Sequence, residues 1–463
     1  MQRLAVINAV GLCAATMGPS TPRMASYLKR FPLRTIRPAL PAVTCTAQSN
    51  YLTGKTPSEH GIVGNGWYHR ELAEVQFWKQ ANSVVRAEKV WETIRRQNPE
   101  FTCAKLFWWY NMYSSANVSI TPRPMYPADG RKVFDIYTYP ADIRTAIKKD
   151  LGEFPFPTFW GPAAGQQTPQ GGPDAVSRWI AESAKWVERR HQPNLSLIYL
   201  PHLDYNLQRL GPRHPDIARD YERIDNIVGD LIEFFEQQGV AVMVLSEYGI
   251  SEVEQPIHLN REFREQGWTT IKDELGLELL DYGQCRAFAV ADHQVAHIYL
   301  NDPSLKSAVR ALLERTPGVA SVLEGATREG AGLGHERAGD LIAVAADNAW
   351  FTYYYWLDDA RAPDFARCVD IHRKPGYDPV ELFIDPKLAF PKAKIAWSLL
   401  KKKLGFRMLM DVIPLDANLV RGSHGNCPRD RGEYPVIFGP GLGGYGDFIE
   451  STDVYHVIKN FFA

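Results

Sequence analysis

The chain has 463 residues, enough for one large α/β core with insertions or for two or three smaller units. Its 45% hydrophobic content is that of an ordinary globular protein, and 52 basic against 53 acidic residues leave a formal charge of −1, so neither nucleic acid nor a membrane is expected as partner. No run approaches the roughly eighteen apolar residues of a membrane span, and six scattered cysteines without a CxxC pair argue against a disulfide framework.

Leu4–Val10 reads as a buried first strand. Residues Leu4 to Met17 are mostly apolar, as in a secretory leader, but one basic residue precedes them and the run fits a strand followed by a turn, so a cytoplasmic protein is expected. Helices are expected at Arg23–Lys29, Lys89–Arg96, Ala175–Arg189 and His214–Gln238. In the last, Ile217, Tyr221, Ile224, Ile227, Val228, Leu231, Ile232 and Phe235 recur at helical spacing. Between them lie apolar strand candidates at Thr102–Trp108, Leu195–Leu200 and Val240–Leu245. Such alternation predicts a central, mostly parallel sheet flanked by helices, with the site outside the carboxyl ends of the strands.

After about Gln255 the pattern changes to short strands around a helix: Phe288–Val290, Val295–Leu300, Ser307–Glu314 and Val319–Leu323, extended by Leu341–Ala345 and Trp350–Trp356. This reads as an inserted α+β cap. The expected division is therefore core residues 1–255, cap 256–390 and returning core 391–463, the last holding a strand at Tyr434–Phe438 and a helix at Val454–Phe462. The run Lys401-Lys402-Lys403 follows an apolar helix, Ala393–Leu400, and reads as its solvated C-terminus.

The run Pro41-Ala42-Val43-Thr44-Cys45-Thr46 through Thr53-Gly54, followed by Glu59-His60-Gly61-Ile62-Val63-Gly64-Asn65, carries the most chemical information. It reads as a strand end, a hydroxyl residue on a helix N-terminus and a glycine-rich return ending in an amide. Unpaired N–H groups at such a terminus attract an anion, a threonine there can attack phosphorus if its proton is drawn off, and an asparagine can donate to a phosphoryl oxygen.

The segment resembles the nucleophile region of the nucleotide pyrophosphatase/phosphodiesterase branch of the alkaline phosphatase superfamily. There the nucleophilic Thr precedes a Thr-Gly pair by nine positions and the oxyanion-binding Asn by twenty-one; here Thr44 precedes Thr53 by 9 and Asn65 by 21. The spacing selects Thr44 over Thr46. The resemblance implies an alkaline-phosphatase-like fold, Thr44 as nucleophile, Asn65 as phosphoryl holder and a pair of divalent cations about 4 Å apart.

Four ligand places of that family follow in order, most of them altered. The first-strand Asp corresponds to Asn8; the Asp-x-x-x-His to Asp204 and Gln208; the Asp-His-Gly to Glu247-Tyr248-Gly249; the later His-Gly to His424-Gly425. One metal place would comprise Asp204, Gln208 and His424, the other Asn8, Thr44, Glu247 and Tyr248. The oxygen-rich set favours Mg, Mn or Ca over Zn, a tyrosinate would suit Fe, and empty places are the other reading. On electrostatic grounds the Asp204/His424 place is expected to hold a cation better than the Thr44 place.

Among other histidines, His202, His258, His293 (after Asp292), His297 and His372 (in the polar loop Asp370–Tyr377) are candidate compensating ligands, although single histidines are usually structural and Asp292-His293 reads as a turn. Aromatic runs at Phe107–Tyr113 and Trp350–Trp356 are core by default, with some rings available to line a pocket; Asp358, Asp359 and Arg361 are candidate polar pocket residues. The expected function is metal-dependent hydrolysis of a small-molecule phosphodiester or phosphomonoester through a phospho-threonine. The alternative is a non-catalytic or differently reacting relative that binds a phosphorylated metabolite. A sulfatase is disfavoured, since Thr44 cannot undergo that family's Cys or Ser modification and Cys45 is out of register.

Overall fold

All six residues of the strand Leu4–Ala9 are buried. A run without polar alternation belongs where both faces of a sheet are covered. The computed structural model, which describes residues 2–463, places it in the middle of a nine-stranded sheet. The order across the sheet is Phe448–Glu450, Arg34–Arg37, Val436–Phe438, Ala241–Leu245, Leu4–Ala9, Leu195–Leu200, Cys103–Leu106, Val118–Pro122 and Ile136–Tyr139. From Ala241–Leu245 to Val118–Pro122 every neighbour is parallel. Antiparallel pairing is confined to Val436–Phe438 and the edge strand Ile136–Tyr139. The expected fold class is the observed one.

Helices form where the apolar spacing predicts them, at Pro22–Leu28, Val90–Gln97, Ala175–His191 and Ile217–Gln237. The last buries Ile224, Ile227, Val228, Leu231 and Phe235 at helical spacing. The helix Thr44–Thr53 differs: all ten residues are buried, including Thr46, Gln48, Ser49 and Asn50. Buried polar groups cost free energy unless bonded, and here they are bonded. Thr46 donates to the Ile62 carbonyl at 3.1 Å and Ser49 to that of Cys45 at 2.7 Å. The helix stops at Gly54, whose φ of +66° is left-handed; a Cβ there would lie 2.9 Å from the Tyr455 ring.

A second, antiparallel sheet orders Ala287–Asp292, Val295–Leu300, Leu341–Ala345 and Val319–Leu323. Its hairpin turn is His293-Gln294, with His293 at φ +60°. Side chains from this sheet, Val295 and Ile342, share an apolar cluster with Cys45, Ile62 and Val63, so the hairpin reaches the helix Thr44–Thr53. Two expectations shift. Only Trp350 and Phe351 of the run Trp350–Trp356 are strand, within Ala349–Phe351; Tyr353 to Trp356 are buried on irregular chain. The helix expected at Ala393–Leu400 spans Pro391–Lys403 and takes in the lysine run. Among the described residues no helix is long and apolar enough to cross a membrane.

Candidate active site

Sheet register assembles the site. Asn8, at the carboxyl end of its strand, lies beside Tyr199 on one neighbour and Leu245 on the other. Side chains two apart share a face, so Glu247 returns to the side of Asn8. The chain after Leu195–Leu200 turns into the helix His202–Leu210, which places Asp204 and Gln208 one turn apart. Gly249 permits the turn after Tyr248, since a Cβ there would meet the Glu433 carbonyl oxygen at 2.1 Å.

Thr44 is the first residue of its helix and 4% exposed. Its hydroxyl lies 3.1 Å from the Tyr248 phenol oxygen. Thr44, Asp204, Tyr248 and His424 line one cavity of about 70 Å³, walled by Trp78, Trp109, Trp160 and Tyr377. That volume is small beside the roughly 300–1,000 Å³ of pockets for drug-sized ligands. Thr44 and Asp204 thus share one cavity, as the expected fold requires.

Asn65 lies beneath the helix N-terminus. Val43 offers no side-chain cap, and the Cys45 N–H donates instead to Asn65 Oδ1 at 3.0 Å. Asp292 grips Asn65 twice: Oδ2 accepts its backbone N–H at 2.7 Å and Oδ1 accepts its Nδ2 at 3.0 Å. An amide nitrogen carries two hydrogens, which leaves one for a phosphoryl oxygen. Burial raises the Asp292 carboxyl to about 7, against the pull of these two donors.

Amides occupy one oxygen of each carboxylate in the metal places, while Asn8 Oδ1, Glu247 Oε2, Asp204 Oδ1 and His424 Nε2 have no protein partner. Glu247 Oε1 accepts from Asn8 Nδ2 at 2.5 Å and from Gln48 Nε2 at 2.6 Å. Asp204 Oδ2 accepts from Gln208 Nε2 at 2.7 Å, and the Tyr377 hydroxyl bonds to the Gln208 oxygen at 3.1 Å. Burial raises Asp204 to about 7 and Glu247 to about 8, despite the amide donors. Burial also holds the Tyr248 phenol well above its ordinary range, so with no cation beside it the group is a neutral phenol.

The His424 Nδ1 donates to the Ala42 carbonyl at 2.6 Å, so in the neutral ring Nε2 carries the lone pair. Burial keeps it neutral, lowering its pKa to about 3. That nitrogen faces Asp204 Oδ1 across 3.9 Å, and neither atom has a protein partner. Tyr248 stacks on His424 at 3.6 Å and 8°, His424 on His293 at 3.6 Å, and His293 on Tyr377 at 3.6 Å. Rings therefore fill a column beside the cavity. Among the described residues no three His, Cys, Asp or Glu side chains converge on a point that could hold a metal ion. The donor set does not fit a two-cation centre: of the seven expected ligands, Asn8 and Gln208 act as hydrogen-bond donors, Thr44 bonds the neutral Tyr248 phenol, Glu247 is held by two amides, and Asp204 with His424 forms only a pair.

Of the other histidines, only His293 reaches the cavity. His258 bonds Thr352 at 2.7 Å, His297 bonds the Val63 carbonyl at 2.8 Å, His372 lies 3.3 Å from the Phe77 carbonyl, and His202 is buried behind the site beside Ser177. The loop that carries His372 contributes Ile371, Lys374 and Tyr377 instead. Lys374 is held by Asp378 and Glu381, each at 2.7 Å. Asp358, Asp359 and Arg361 lie elsewhere: Asp359 accepts from Trp356 and Arg361 pairs with Asp273. Trp109 is the pocket ring of the first aromatic run, and the second run contributes none. Gln48, Tyr199, Asp292 and Tyr377 were not assigned site roles from sequence, and His293 was named only as a candidate compensating ligand. Gln48 had a signal, since it stands four residues after Thr44 on the same helix face.

No curated protein matches the chain in sequence. Its fold is shared with phosphonoacetate hydrolase from Sinorhizobium meliloti 1021, solved with phosphonoformate, at 15% identity and a TM-score of 0.61, covering 100% of this chain and 96% of that one. It is also shared with murine ectonucleotide pyrophosphatase/phosphodiesterase 5, solved as an inactive variant with AMP, at 14% identity and a TM-score of 0.57, covering 100% and 95%. The human counterpart gives 14% and 0.58, covering 100% of this chain and 95% of that one. The family model for type I phosphodiesterase/nucleotide pyrophosphatase matches residues 4–378. With that match over most of its length, the chain belongs to the type I phosphodiesterase/nucleotide pyrophosphatase family of phosphoester-hydrolysing enzymes.

Proposed function

We propose that this chain hydrolyses a small-molecule phosphodiester or phosphomonoester through a covalent phospho-Thr44 intermediate, without the family's pair of cations. The observation that carries this reading is the Thr44 hydroxyl itself, first on a buried helix, 3.1 Å from the Tyr248 phenol at the wall of an aromatic cavity. Asn65, fixed by Asp292 and bonded to the Cys45 N–H at the same helix N-terminus, keeps one amide hydrogen to spare.

In the first step Thr44 Oγ1 forms a bond to phosphorus and the ester oxygen leaves. The Thr44 proton passes to Glu247 in its ionised form, the form favoured above about pH 8, through Oε2, which has no hydrogen-bond partner. The leaving alcohol takes a proton from Asp204, which faces the same cavity. In the second step water attacks phosphorus, its proton returns to Asp204, and Thr44 recovers its own from Glu247. Asn65 donates to the phosphoryl oxygen as charge builds there, and the aromatic wall keeps bulk water out.

Thr44→Ala is expected to lower turnover of an aryl phosphodiester by about 10³-fold or more, as loss of a nucleophile does. Acid quench followed by mass spectrometry should find the phosphoryl adduct on the peptide carrying Thr44. Turnover retained in Thr44→Ala would remove this residue from the mechanism. A binding-only reading is favoured by one observation, the Cys45 N–H already being taken by Asn65; the quench separates the two, because a binder forms no adduct.

A further inference from the structure

The helix Pro391–Lys403 presents its apolar side chains outward. Its only buried residue is Ser398, and Ile395, one turn before, packs partly against the second aromatic core. That places the body of the protein on the Ile395/Ser398 side. On the opposite side, Ala393, Ala396, Trp397, Leu400 and Leu404 recur at the spacing of one helical stripe, and all are exposed. Trp397 is 58% exposed, Leu400 44% and Leu404 64%. A helix on the surface of a globular protein normally turns its apolar stripe inward. This one is inverted.

The chain on either side reinforces the patch. Among the described residues, half of the exposed large apolar side chains fall between Ile384 and Leu409, Phe390 and Phe406 among them. Isolated exposed apolar residues need no explanation, but a contiguous set marks a contact surface. Charge then selects the partner. Between Pro386 and Met410 there are six lysines and one arginine and no aspartate or glutamate, in a chain whose overall charge is −1. Lys394 is neutralised by Asp411 at 2.9 Å; Lys402 and Lys403 are solvent-exposed. At 100° per residue Lys392 and Lys403 flank one side of the stripe and Lys401 the other. The Lys401 ammonium sits 5.5 Å from the Trp397 ring.

An outward apolar stripe with a tryptophan, bordered by lysines and free of carboxylates, matches the chemistry of a bilayer interface carrying anionic headgroups. The rings and leucines enter the acyl boundary, and the ammonium groups meet phosphates and carboxylates at its edge. We infer that the helix Pro391–Lys403 docks this protein reversibly onto an anionic lipid surface. The charge excess is confined to one segment, which is why whole-chain composition does not reveal it. The patch also joins the loop at Gly130–Lys132, where the Lys402 ammonium lies 3.4 Å from the Lys132 carbonyl and Arg407 approaches Gly130.

The test uses the full chain and sedimentation with vesicles of phosphatidylcholine alone or with about a third phosphatidylserine. Wild type is expected to bind the anionic vesicles about tenfold or more tightly than the neutral ones, and molar salt is expected to release it. Two triple variants, Trp397→Ser/Leu400→Ser/Leu404→Ser and Lys401→Glu/Lys402→Glu/Lys403→Glu, should each weaken binding about tenfold or more without changing the melting temperature, because the altered side chains are surface groups. Absence of binding to anionic vesicles, equal binding to both vesicle types, or undiminished binding of both variants would overturn the inference. So would a dimer seen by light scattering that the apolar triple variant converts to monomer, since a second copy would then cover the stripe.

Discussion

The contact between Asp292 and Asn65, with the Asn65–Cys45 bond, ties the second sheet to the N-terminus of the helix Thr44–Thr53 and offers a clean perturbation. Asp292 is 1% exposed and accepts both the Asn65 backbone N–H, at 2.7 Å, and its side-chain Nδ2, at 3.0 Å. Asp292→Asn keeps the shape but places an NH₂ against one of the two donors. One bond to a carboxylate is lost, worth about 1.5–3 kcal/mol, and a buried donor is left without an acceptor. If that loss appears in holding the transition state, it corresponds to about 10- to 100-fold in kcat/KM at about 1.4 kcal/mol per tenfold. The assay is kcat/KM on an aryl phosphodiester, measured with thermal melts, in wild-type and Asn65→Ala backgrounds. A positioning residue acting through Asn65 loses its effect once Asn65 is gone, so Asp292→Asn should change kcat/KM by less than about twofold in the Asn65→Ala background. An equal loss in both backgrounds would refute the assignment.

Other consequences are open to direct measurement. His60 accepts from the Ile62 N–H through Nδ1 and contacts Asn50 through Nε2; burial lowers its pKa to about 3 from 6.5. The unfolded chain therefore binds a proton first, and stability should fall as pH drops from about 6.5 towards 3, by up to about 1.4 kcal/mol per pH unit from this residue; denaturant titrations at several pH values should show a shallower slope in His60→Asn. Gly54→Ala should lower the melting temperature, as a Cβ at φ +66° strains the backbone and meets Tyr455 at 2.9 Å, a cost of about 1–3 kcal/mol. Protein purified without chelator should carry well below two equivalents of divalent metal, and turnover should survive dialysis against EDTA; two tightly held equivalents would contradict the donor arrangement seen around Asn8 and Gln208.

The fold was legible where burial alone decides structure. Leu195–Leu200, Val295–Leu300, Val319–Leu323 and Leu341–Ala345 form at the expected bounds, because an apolar run between turn residues has few other places to go. Trp350–Trp356 was misread because aromatic residues serve equally in strands and in buried irregular chain, and periodicity cannot separate the two. In the site, Thr44, Asp204, Tyr248 and His424 were legible from spacing and do share a cavity. Asp292 was visible as a residue but not as a partner for Asn65, since 227 positions separate them and only the path of the hairpin brings them together. The loop Asp370–Tyr377 was correctly aimed at the cleft, yet its contribution is Tyr377 and Lys374, because His372 turns towards the Phe77 carbonyl.

The altered ligand places make physical sense as a set and not singly. Removing a cation from between buried carboxylates leaves charge without compensation, at several kcal/mol per ion. Here each remaining carboxylate has gained an amide donor at the position where the family pattern has a ligand: Asn8 for Glu247, and Gln208 for Asp204. Gln48 adds a second donor to Glu247 and ties it to the Trp109 backbone at 2.7 Å, so the helix Thr44–Thr53, the central strand and the aromatic loop share one network. Tyr248 completes the exchange by supplying a neutral hydroxyl to Thr44 and a ring face to His424. Restoring one family residue alone would therefore break a bonded pair without building a metal site. Gln208→His takes the donor from Asp204 and the partner from Tyr377, while Asn8→Asp sets a second carboxylate against Glu247. The coupling runs through hydrogen bonds within the site, which is why the ligand places must change together.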